Sequence, residues 1–89
     1  MSPLDEAIAQ LDLDGIQRTL SRRPGTAAIT RNDGMQVIVR EVDDQLVEVL
    51  YEQALHDTAR ERCGPAIAAT FVRVILSRKQ LEHVSLARG

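Results

Sequence analysis

The sequence predicts an α+β fold that is mostly helical: an N-terminal helical hairpin, a short β-hairpin, then two longer antiparallel helices. Three observations predict it. Apolar residues recur at helical spacing through residues 43–62 and again through 65–79, as in amphipathic helices. Pro3, Pro24–Gly25 and Gly64–Pro65 stand where helices start and stop. Between them, residues 26–42 are rich in β-branched side chains around an Asn32–Asp33–Gly34 turn signal.

The helical hairpin spans residues 3–23. Ser2 is a cap, Pro3 suits the first helical position, and Asp5 falls where a capping box places an acid. Leu4, Ile8 and Leu11 share one face of that first helix. Asp12–Leu13–Asp14–Gly15 breaks or bends it, and Asp14 caps a second helix that ends at Pro24–Gly25. The β-hairpin follows over 26–42. Its second strand alternates Met35, Val37 and Val39 with Gln36, Ile38 and Arg40.

Asp43 and Asp44 open the third helix at its positive end. Leu46, Val47, Leu50, Tyr51, Ala54, Leu55, Thr58 and Ala59 make its apolar stripe, and Glu48, Glu52, His56 and Arg60 its polar row. Pro65 begins the fourth helix, whose polar positions Thr70, Arg73 and Ser77 form a narrow strip. Ile67, Phe71, Val74 and Ile75 lie on one side of it and Ala68, Val72 and Leu76 on another. So wide an apolar face implies burial on more than one side. Residues 80–89 form a tail in which Leu81, Val84 and Leu86 extend the helix or dock.

At 89 residues the chain reads as one domain, residues 1–89. Tyr51 and Phe71 are its only aromatics, so its core is built from Leu, Ile, Val and Ala. The single cysteine, Cys63, excludes an intramolecular disulfide and suits a reducing compartment. The N-terminus lacks the basic and apolar regions of a signal peptide, and no apolar run reaches the roughly 20 residues that span a bilayer. A cytoplasmic location is expected.

The net charge is -2, which disfavours non-specific nucleic-acid binding. Residues 1–59 carry five basic and eleven acidic side chains, and residues 60–89 six basic and two acidic. The basic C-terminal portion is expected to meet the acidic one, or an acidic partner.

Candidate chemistry is sparse. Glu52 and His56 stand at helical i, i+4 spacing, but a metal site needs three or four ligands. Asp12–Leu13–Asp14–Gly15 has part of a calcium-loop pattern, with Gln10 and Ser21 where ligands are required. Cys63 and His56 lack any companion oxyanion hole or cofactor loop. Catalytic residues, cofactors and metals are therefore all expected to be absent.

The segment Val37–Ile38–Val39–Arg40–Glu41–Val42–Asp43–Asp44–Gln45–Leu46 resembles the strand and helix start of ribbon-helix-helix DNA-binding proteins. That resemblance implies a dimeric transcriptional regulator whose two chains pair their strands. Gln36, Ile38 and Arg40 would then read the major groove. It covers about half the chain and is the second functional reading.

The first reading is a small non-enzymatic protein-interaction module: a regulator, chaperone, inhibitor or adaptor that binds a partner protein, itself, or both. Ala68, Val72 and Leu76 are its expected apolar contact, in a homodimer or with a partner. Arg73, Arg78 and Lys79 are its expected basic contact.

Overall fold

The computed structural model describes residues 2–11, 18–54 and 57–78. Ser2 begins the first helix as its sequence requires. Its Oγ accepts a 3.1 Å hydrogen bond from the Asp5 N–H, and helix α1 runs Pro3–Gln10 with proline in its first turn. The expected second helix is not found among the described residues. Residues 12–17, with the Asp12–Leu13–Asp14–Gly15 motif, lie outside the described residues, and Arg18–Arg23 is strand β1.

Pro24–Gly25 turns β1 back onto strand β2, Thr26–Arg31. Gly25 has φ +73°. Proline followed by a glycine at positive φ suits the two central positions of a type II turn. The same two residues therefore close a hairpin where the sequence predicts a helix end. Strand β3, Gln36–Glu41, pairs antiparallel with β2, as the turn signal predicts, and Gly34 sits at φ +93°.

The largest correction concerns residues 43–62. They form no helix. Asp43 turns the chain by accepting from the Gln45 and Leu46 N–H groups. Strands β4, Val47–Ala54, and β5, Asp57–Cys63, then follow, with a register shift between Glu52 and Ala54. Gly64 caps the last helix, α2, Pro65–Leu76. The described residues thus form a five-stranded antiparallel sheet in the order β1-β2-β3-β4-β5 with two helices, and the fold is not mostly helical.

Alternation decides what the sheet buries. Residues opposite each other across antiparallel strands share a face, and successive residues alternate faces. Ala27, Ile29, Val37, Val39, Val47, Val49 and Tyr51 all point to one face and are buried there. Both helices cover that face. α1 lies on β3, α2 on β3, β4 and β5, and the helices touch each other. α1 contributes Leu4, Ala7 and Leu11, and α2 contributes Ala68, Ala69, Val72, Ile75 and Leu76. Arg22 of β1 binds Asp5 of α1 at 2.8 Å and lowers the carboxyl's pKa through that hydrogen bond.

One buried charge ties the helix layer to the sheet. Arg31, at the end of β2, donates through Nη1 to the Leu76 carbonyl at 2.5 Å and to the Arg78 carbonyl at 2.6 Å. Those carbonyls stand at the negative end of α2, where a cation is favoured. Through Nε and Nη2 the same guanidinium holds Asp33, which also accepts from the Met35 N–H at 3.0 Å.

Candidate functional site

Among the described residues, two surfaces on opposite sides of the molecule combine exposed apolar or charged side chains. The first is the outward side of α2. The sequence groups Ile67, Phe71, Val74 and Ile75 on one side of this helix, and Ala68, Val72 and Leu76 on another as a contact face. The structure turns Ile75 inward with the second set and makes that set core. Ala68, Val72 and Leu76 are buried against the sheet with Ala69 and Ile75. The adjacent small side chains Ala68 and Ala69 let the helix seat closely, and Val72, Ile75 and Leu76 fill the space around them. Ile67 and Val74 point outward and are 66% and 54% exposed. With Ala66, Thr70 and Phe71 they line a shallow apolar groove. Phe71 is half-buried, and its ring meets that of Tyr51 edge to face, with centroids 5.1 Å apart.

Two of the three basic residues expected to meet a partner are engaged within the chain. Arg73 donates to the Gln10 carbonyl at 2.5 Å, at the end of α1. Arg78 places its guanidinium 5.6 Å from the centroid of the Tyr51 ring. Lys79 lies outside the described residues, as do Leu81, Val84 and Leu86.

The second surface is the face of the sheet that carries no helix among the described residues. Glu48 belongs to it, yet its side chain is only 1% exposed. Arg40 on β3 and Arg62 on β5 flank it and close over its carboxylate, Arg40 through Nη2 and Arg62 through Nε at 3.2 Å. Burial works against the charge of Glu48. The hydrogen bonds and positive charges of Arg62 and Arg40 outweigh it and hold the carboxyl below its ordinary value. A carboxyl depressed in this way stabilises the fold above its unfolded-state pKa and loses that contribution as pH falls through the folded one. The stability difference between wild type and Glu48→Gln is therefore expected to be largest near neutrality. It should shrink as pH drops below the ordinary value of 4.5. Urea midpoints measured across that range check it, and a difference that grows in acid would reverse the assignment.

The other candidate chemistry does not assemble. Glu52 lies on strand β4, so its helical i, i+4 relation to residue 56 disappears, and His56 lies outside the described residues. No group of three or more His, Cys, Asp or Glu side chains among the described residues is placed to hold a metal. Burial, with Glu61 adding to it, pushes the Cys63 thiol pKa up, whereas an activated nucleophile needs it lowered. The helix that a ribbon-helix-helix arrangement requires after Val42 is the strand pair β4 and β5. No helix among the described residues is long and apolar enough to cross a membrane. No protein-family model matches the chain, and neither the curated proteins nor the solved structures contain a significant match to it.

Proposed function

We propose that this chain is a small non-enzymatic protein-interaction module that acts by binding another protein chain, a partner or a second copy of itself. The observation that carries the reading is the apolar stripe Ile67–Phe71–Val74 on the outer side of α2. It lies at i, i+4 and i+7, and its two end residues are more than half exposed. Each large aliphatic side chain left in water forgoes roughly 1.5–3 kcal/mol of burial. A small domain has little stability to spare, and contiguous exposed apolar surface is characteristic of sites that meet another chain. The groove takes an apolar helix or strand edge, and its one polar side chain, Thr70, donates its hydroxyl to the Ala66 carbonyl.

Light scattering over a range of concentrations, with affinity capture from the native host, tests the reading on the wild type and on Ile67→Glu. The wild type is expected to self-associate or to hold a reproducible protein partner. The variant should lose that complex while keeping its circular dichroism, because residue 67 faces solvent. A wild type that stays monomeric and captures nothing would refute it.

A further inference from the structure

The strand register builds a continuous row across the helix-free face: Arg23 opposite Thr26, Thr26 opposite Arg40, Arg40 opposite Glu48, and Glu48 opposite Arg62. Three arginines thus recur every second strand, roughly 9–10 Å apart at the usual interstrand spacing. The next row is Ser21, Ala28, Ile38, Leu50 and Arg60. Its centre is apolar, and Ala28, Ile38 and Leu50 are half-buried with no helix among the described residues over them. The two rows carry four arginines against one carboxylate, and that carboxylate is already enclosed. Arg23 and Arg60 are exposed and make no ion pair with the described residues.

Glu48 does more than neutralise charge. By holding Arg40 and Arg62 it fixes two otherwise mobile side chains, so less rotamer entropy is lost when a ligand binds. It occupies one nitrogen of each guanidinium. The remaining N–H groups of these half-exposed side chains are available for carboxylates, which guanidinium groups receive in bidentate fashion.

We propose that this face is a docking surface for an acidic, amphipathic segment of a partner protein. The arginines of the first row and Arg60 receive its carboxylates, and Ala28, Ile38 and Leu50 receive its apolar side chains. Charge complementarity selects the acidic occupant. Nucleic acid fits less well: single strands bind sheets by stacking bases on aromatic rings, and Tyr51 and Phe71 both lie on the helix side of the sheet. The proposal rests on the reading of the chain as a protein-binding module, but on a different surface from the α2 stripe.

Fluorescence anisotropy on the intact chain tests it. The probes are a labelled amphipathic peptide with glutamates on one face and leucines on the other, its lysine counterpart, and a labelled oligodeoxythymidylate. The acidic peptide is expected to bind, more weakly as salt is raised, and the other two to bind less well. Reversing Arg23→Glu and Arg60→Glu together is expected to weaken binding at low salt by about tenfold or more. Arg23→Gln with Arg60→Gln should give a smaller loss. Both pairs sit at exposed positions, and circular dichroism confirms that the fold is kept. Failure of the acidic peptide to bind, an unchanged affinity in the reversed variant, or tighter binding of the oligonucleotide would overturn the proposal. So would an equal loss in Ile67→Glu, which would place binding on α2 and leave the broader reading intact.

Discussion

Replacing Arg31 with methionine is expected to destabilise the protein by about 3–5 kcal/mol, the range for removing one member of a buried ion pair. The arginine is 9% exposed and its partner Asp33 6%. Methionine fills the space but donates nothing. Asp33 would lose the guanidinium, and the Leu76 and Arg78 carbonyls would lose their Nη1 donor. Leaving buried groups unpaired costs more than the bonds themselves contribute. With a total stability of about 5–15 kcal/mol usual for a domain, the variant should be largely unfolded at modest urea concentration. The urea midpoint measures it. Arg31→Met combined with Asp33→Asn should be less damaging than the two single losses added, because the two residues interact directly and each single change already removes that interaction. A midpoint within experimental error of wild type for Arg31→Met would show that the clamp on α2 contributes nothing.

Leu76→Ala is expected to cost about 2–5 kcal/mol, as truncation of a buried leucine does. Val74→Ala, two residues away on the same helix, should stay within about 0.5 kcal/mol, as exposed substitutions do. Leu76 is 2% exposed and Val74 54%. The contrast reads directly which stripe of α2 is core, since a helix with its outer stripe turned in would reverse the two values. Thermal or urea unfolding of the two variants checks it. The same measurement bears on association. Loss of a complex in a Leu76 variant would reflect loss of the fold, and on α2 the outward positions Ile67 and Val74 are the ones that report on a contact.

Residues 43–62 show why the sequence misleads. Leu46, Val47, Leu50, Tyr51, Ala54 and Ala59 fit a helical stripe, and the segment is rich in Leu, Glu, Ala and Arg, all good helix formers. The competing pattern is shorter: Val47, Val49 and Tyr51 alternate with Glu48, Leu50 and Glu52. Leu50, on the helix-free face, is the residue that blurs the alternation and completes the helical spacing. Pairing with β3 on one side and β5 on the other decides for the strand. Strand preference is largely a matter of what the neighbours offer, and those neighbours are distant in sequence. Pro24–Gly25 fails in a similar way: it is a sound stop signal in either context, and only the pairing of Arg23 with Thr26 makes it a hairpin turn.

Local chemistry determined what sequence alone could determine. Ser2 with Pro3 starts one helix, Gly64–Pro65 starts the other, and Asn32–Asp33–Gly34 turns β2 into β3, because caps and turns are closed by atoms a few residues apart. The helical spacing of the apolar residues in α2 was legible for the same reason, but Ile75, grouped by the sequence with Ile67, Phe71 and Val74, belongs to the core. Only the tertiary structure decided which stripe faces the sheet, that Arg31 reaches the end of α2, and that Glu48 is enclosed by Arg40 and Arg62. Each of these depends on partners that come together only after the strands are in register. The arginine row has no sequence signature at all. Its members sit in β1, β3 and β5, and they become neighbours only through hydrogen bonds between strands, which link residues far apart in the chain.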